Sequence, residues 1–176
     1  MLFRSSESQD NLDPFLLGGG PVIEADEEHF ILEKGSKKFQ VGTPAIAEAI
    51  GLGAAVDYIS KIGLENIRHH EEKFTERIYE GLSQMKNVEV YGPEPKFKVG
   101  ITSFNICQLN PHDVALALDT SANIAVRSGH HCAQPLIKRI LGCQQGTVRA
   151  STYLYNTMDD IEKFLAMVAE ISSALT

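Results

Sequence analysis

The sequence predicts an α+β fold: a mainly antiparallel sheet with helices packed on a face. Three observations carry this. The second half alternates as strand, strand, helix, strand, helix, strand, helix. Its first two strands stand close enough in sequence for a hairpin, a connection open only to antiparallel pairs. The first forty-odd residues, by contrast, read as strand fragments and loops, without the apolar periodicity of a self-sufficient unit.

Each element has its own signal. Residues 1–4 are short and apolar and residues 5–13 are polar. Phe15-Leu16-Leu17, the triplet Gly18-Gly19-Gly20 and Pro21-Val22-Ile23 follow. At Thr43 the pattern turns helical. The Thr43 hydroxyl can cap a helix and Pro44 suits its first position. Ile46, Ile50 and Ala54 then share a face, although Gly51 and Gly53 cost propensity. A second helix follows Gly63, with Ile67, Phe74, Ile78, Leu82 and Met85 on its apolar side. Val88 and Val90 alternate as a strand up to the turn Tyr91-Gly92-Pro93. Residues 99–107, rich in β-branched and apolar side chains, form the next. Asn110-Pro111-His112-Asp113 combines a cap, a proline at the first position and an acid at the third, so a helix starts there and runs to about Ser121. Ile124-Ala125-Val126 reads as a short strand and residues 127–132 as a loop. A helix over about 135–141, a strand over 146–151 and a last helix from Thr157 complete the chain. That last helix places Ile161, Phe164, Leu165, Val168 and Ile171 on one face.

Composition narrows the function. The 176 residues carry a formal net charge of −7, which argues against phosphate-backbone binding by lysine and arginine. Lys37-Lys38 reads as a solvated turn. No apolar run is long enough to span a bilayer. Residues 1–11 lack the apolar stretch and small-residue cleavage site of a secretion signal. The three cysteines, Cys107, Cys132 and Cys143, form no regular framework; reduced thiols in a cytoplasmic protein are expected.

Chemistry concentrates in Arg127-Ser128-Gly129-His130-His131-Cys132-Ala133-Gln134-Pro135. Cys132 lies between a strand and a helix start, with two histidines and Arg127 nearby. Each of these favours the thiolate, the nucleophilic form of cysteine. The alternative is an inert loop cysteine. Arg149 has the planar fork that binds a carboxylate through two parallel hydrogen bonds, or it forms an ordinary salt bridge. A zinc site from His130, His131, Cys132 and Cys143 is disfavoured, because three adjacent residues converge poorly on a tetrahedral ion.

The string RSGHHCAQPL closely resembles the active-site segment of SUF-type cysteine desulfurases, a group within the class V aminotransferases. Three further stretches resemble the same family in the same order. They are the glycine triplet, the Gly42-Thr43-Pro44 loop with the helix after it, and Val148-Arg149-Ala150-Ser151 followed by Tyr155-Asn156-Thr157. The resemblance runs from near Gly18 to the C-terminus. It implies the small C-terminal domain of a fold-type-I pyridoxal-phosphate enzyme over residues 46–176, including its linking helices. Residues 1–45 would be a remnant of the large cofactor-binding domain with inter-subunit loops, and residues 1–4 a strand of it.

The resemblance also implies roles. Pyridoxal phosphate serves as the electron sink for L-cysteine. Cys132 attacks the substrate sulfur, giving an enzyme persulfide and alanine, and the persulfide passes to an acceptor protein of iron-sulfur cluster assembly. Arg149 holds the substrate carboxylate, and Arg127 and His131 support the loop and the substrate. His130 could equally be structural. Thr43 and Gly18 lie near the cofactor phosphate of a partner subunit, which implies a homodimer; a helix start and a glycine both suit an anion. The family's Schiff-base lysine sits in a Ser-Gly-His-Lys segment ahead of the glycine triplet, and this sequence contains no such segment. Lys34, Lys37 and Lys38 follow the triplet. Desulfuration by this chain alone is therefore expected to fail. Selenocysteine lyase or another class V aminotransferase-like enzyme, and a non-catalytic dimerisation or docking domain, are the competing readings.

Overall fold

The computed structural model describes residues 9–174; the strand expected at residues 1–4 lies outside them. The chain divides into two units between Tyr58 and Ile59.

In the first unit, β1 (Val22–Ala25) and β2 (Phe30–Leu32) form an antiparallel hairpin. Its turn is shaped by the Asp26 carboxylate, which accepts the N–H groups of Glu28 and His29 at 2.8 and 2.6 Å, as short acidic side chains do in turns. Phe15-Leu16-Leu17 forms no strand and is exposed. A single 3-10 turn, Gly35–Phe39, is tied back to Asp10. Gly35 N–H donates to Asp10 Oδ1 and Lys38 Nζ to Asp10 O, both at 3.2 Å. Lys38 is thus buried rather than solvated. The helix expected from Thr43 starts later: α1 spans Ile46–Ile62. The proline at 44 disfavours helical geometry at Thr43, and Ala49 N–H closes a helical turn on Ala45 O at 3.0 Å. No residue of α1 is buried, so Ile46 and Ile50 stand exposed.

The second unit contains α2 (Leu64–Ser83), β3 (Val88–Tyr91), β4 (Ile101–Ile106), α3 (Pro111–Ala122), β5 (Arg127–Gly129), β6 (Thr147–Ser151) and α4 (Met158–Ser173). The sheet order is β3-β4-β6-β5, antiparallel throughout. Alternation along β4 and β6 sends Phe104, Ile106, Val148 and Ala150 to one face. There they meet Phe74, Ile78 and Leu82 of α2, Val114 and Leu118 of α3, and Ile161, Phe164, Leu165 and Val168 of α4. Phe104 and Phe164 meet edge to face at 5.7 Å between centroids, a favoured aromatic geometry. α3 and α4 start where expected. Asn110 Oδ1 accepts His112 N–H at 2.9 Å, and Thr157 and Asp160 form a reciprocal capping box.

Two elements around the chemistry differ from expectation. Ile124 and Val126 are not a strand; they pack against the core, and the ladder begins at Arg127, whose partner is Arg149. The helix after Cys132 is a π turn, Leu136–Ile140. Leu141 N–H reaches Leu136 O at 3.1 Å, and Cys143 N–H reaches Ile137 O at 3.0 Å across Gly142, which is left-handed at φ 72°. π turns are uncommon and recur near functional sites.

One glycine pair sets how closely β5 and β6 end together. A Cβ on Gly146, at φ 100°, would meet the Gly129 backbone closer than real side chains tolerate.

Truncation of Phe104, whose side chain is fully buried, is expected to cost about 3–5 kcal/mol. Urea denaturation of Phe104→Ala beside the wild type, followed by circular dichroism, measures it.

Candidate functional site

The face of the sheet opposite the helices carries the residues singled out in the sequence. Arg149 sits between two core residues of β6 and projects the other way. Its ladder neighbours are Ser103 on β4 and Arg127 on β5. Two cations directly opposite each other on adjacent strands repel. Neither arginine has an ion-pair partner among the described residues, and the buried Arg149 Nε has no hydrogen-bond acceptor. Such a pair calls for an anion.

The chain leaves β5 at Gly129 and loops over this face. Two histidine anchors fix the loop. His130 Nε2 donates to Gln144 O at 3.1 Å. His131 Nε2 lies 3.0 Å from both the carbonyl and the hydroxyl oxygen of Thr147. A carbonyl only accepts, so this nitrogen carries the proton and Nδ1 is left with its lone pair. That atom is buried without a partner among the described residues. Between the anchors and the π turn, His131 and Cys132 both adopt left-handed backbone, at φ 52° and 61°. Each such residue costs on the order of 1–3 kcal/mol and persists where the surroundings enforce it. The strain lifts Cys132 to an exposed position, with Arg127 Nη2 at 3.7 Å from its sulfur. The contact sets a guanidinium beside the sulfur.

The electrostatics agree. Burial holds the His131 pKa below its usual 6.5, and the positive charge of Arg149 adds to the effect against the hydrogen bond to Thr147. His131 is thus a neutral anchor at neutral pH, not a third cation. Cys143 is a different kind of thiol. It is half-buried, its Sγ directed at Leu141 O, and it neighbours Tyr91, whose phenol is pushed up first by burial and then by Cys143 and Glu89. Among the described residues no three His, Cys, Asp or Glu side chains are grouped to hold a metal ion.

The structure therefore brings Cys132, Arg127, His131 and Arg149 together. Gly18 and Thr43 belong to the first unit, where their loops adjoin. Gly42 N–H donates to Gly19 O at 2.7 Å, and a Cβ on Gly18 would touch Val41 Cγ1 at 3.0 Å. Thr43 is exposed beside left-handed Gly42. The exposed Thr43 hydroxyl is the kind of group that can meet a phosphate. Thr147 and Asn105 were not legible as site residues. Asn105 accepts Val148 N–H at 3.3 Å and donates to Gly146 O at 3.1 Å. Their only sequence signal was a polar position in a strand otherwise facing a core.

The sequence matches the family Aminotransferase class-V over residues 1–164. It is 44% identical to a "probable cysteine desulfurase" of Methanothermobacter thermautotrophicus, across 97% of this chain and 43% of that protein. A Synechocystis protein of the same description is 43% identical, across 93% of this chain and 39% of its own length. Among solved structures, the apo cysteine desulfurase of Thermococcus onnurineus superposes with a TM-score of 0.84 at 43% identity, covering 96% of this chain and 41% of that one. The Escherichia coli cysteine desulfurase CsdA, in its S-sulfonic acid form, gives 0.82 at 26%, covering 97% and 41%. The chain spans about two fifths of the length of these relatives.

The lowered His131 value predicts a pH dependence of stability. As pH falls below the usual 6.5, the unfolded chain takes up the proton before the folded one does. Stability contributed by neutral His131 is complete above that pH. It declines as pH drops towards the lowered folded value and levels off beneath it. Urea midpoints measured between pH 7.5 and 5 should show a shallower decline for His131→Gln than for wild type; equal slopes would contradict the assignment.

Proposed function

The chain belongs to the aminotransferase class-V family, and on that footing we propose that it is the C-terminal part of a SUF-type cysteine desulfurase with Cys132 as the sulfur carrier. The observation that supports this best is the strained loop that raises Cys132 beside the Arg127 guanidinium, next to Arg149, whose buried Nε has no acceptor among the described residues.

Pyridoxal phosphate, when bound, supplies the electron sink. The residues of this chain do the rest. Arg149 takes the L-cysteine carboxylate through charge-assisted hydrogen bonds. The Cys132 sulfur attacks the substrate sulfur, so an S–S bond forms as the substrate C–S bond breaks. The carbon skeleton keeps that electron pair and, once protonated, leaves as alanine. Arg127 steadies the sulfur before attack and His131 fixes the loop. Gly18 and Thr43 would line the cofactor phosphate across a homodimer. The persulfide then passes to an acceptor protein of iron-sulfur assembly in the cytoplasm; no helix among the described residues is long and apolar enough to cross a membrane.

Because the lysine-bearing segment is not in this sequence, the chain alone with L-cysteine and pyridoxal phosphate should release no alanine. Alanine from the purified chain would overturn that. Fused behind the N-terminal three fifths of the Thermococcus onnurineus enzyme, the chain should release alanine and carry a persulfide on Cys132, and Cys132→Ala should abolish both. In the same fusion Arg149→Lys should raise KM roughly ten- to hundredfold, the loss expected for one or two charge-assisted hydrogen bonds. Unchanged KM would remove Arg149 from substrate binding.

A further inference from the structure

We infer that His112 is a positioning residue for the cysteine loop, acting through Ser128. This rests on the reading of Cys132 as the sulfur carrier and adds to it a residue on the opposite side of the sheet.

β5 is a three-residue strand at the edge of its sheet, paired on one side only, to β6. So short a ladder holds its ends weakly, yet Arg127 at one end and Gly129 at the other set where the Cys132 loop begins. The middle residue, Ser128, pairs with Val148, whose side chain faces the helices. On that side His112, in the first turn of α3, places Nδ1 2.8 Å from Ser128 Oγ. The ring also lies against Gly129: a Cβ there would meet His112 Cε1 at 3.4 Å and Nε2 at 3.8 Å. His112 is itself held, its N–H donated to Asn110 Oδ1 at 2.9 Å and its neighbour Pro111 buried. The helix start, the imidazole, Ser128 and the loop form one chain of contacts, ending three residues short of Cys132. Rotation of β5 about its single ladder would carry the Arg127 guanidinium away from the Cys132 sulfur, and His112 opposes that rotation.

The test is the rate at which iodoacetamide alkylates each cysteine of the full 176-residue chain at pH 7, resolved by peptide mass spectrometry, alongside the melting temperature. His112→Ala should slow Cys132 roughly five- to tenfold, the scale of a small misplacement of reacting groups. Cys107, Cys143 and the melting temperature should stay as in wild type. Ser128→Ala should slow Cys132 equally, and the double variant no further. His112→Asn, whose side-chain amide can occupy the place of Nδ1, should restore the rate. A fast wild-type Cys132 left unchanged in both single variants would overturn the inference and leave the sulfur-carrier reading standing. A fall in melting temperature with all three cysteines altered alike would also overturn it, as a structural role. A wild-type Cys132 no faster than Cys107 would overturn the sulfur-carrier reading itself, and this inference with it.

Discussion

The hydrogen bond from His131 to Thr147 turns an ordinary antiparallel sheet into a site. Thr147 is fully buried in β6, so the imidazole that reaches it is held by a strand paired on both sides. Two consecutive left-handed residues could not persist on a free loop. Here they do, because the ring pins one side of the bend and the π turn, rooted by buried Ile137, pins the other. Exposure of the Cys132 sulfur follows from that bracing.

The same anchor settles a charge question. A protonated His131 would place a third positive charge beside Arg127 and Arg149, with its Nδ1–H buried and unbonded. Burial and the neighbouring guanidinium both oppose that state, so the histidine serves as a neutral strut. Arg127 and Arg149 then carry the positive charge on this face. Separation of tasks between a neutral brace and charged neighbours explains why a residue adjacent to Cys132 can be inert in acid-base terms at neutral pH.

Much of the fold was legible because its signals are local. The α4 capping box, the Asn110-Pro111 start of α3 and the apolar stripe of α2 are each set within a few residues. The errors came where long-range partners decide. Ile124-Ala125-Val126 has strand composition, but the ladder forms where β6 offers partners, three residues on. At Thr43 the cap chemistry was present, yet the helix waited until Ile46. Lys38 looked like a solvated turn residue until the backbone of Asp10, twenty-eight positions earlier, gave its amine an acceptor. Cys132 and Arg149 stood out by residue type and by resemblance. Thr147 and His112 did not, because each acts through a contact made across the sheet or around its edge, which no local pattern records.

The close approach of Gly146 to Gly129 also bears on how such a chain can change over generations. Gly146 cannot take a side chain unless the Gly129 backbone opposite moves, and Gly129, at φ 107°, strains any side chain it carries, so no single replacement at either offers a gradual route to a wider site. Variation in which molecules the open face admits must therefore arise at residues flanking the pair, while the junction of β5 and β6 stays frozen as the pivot around which the rest drifts.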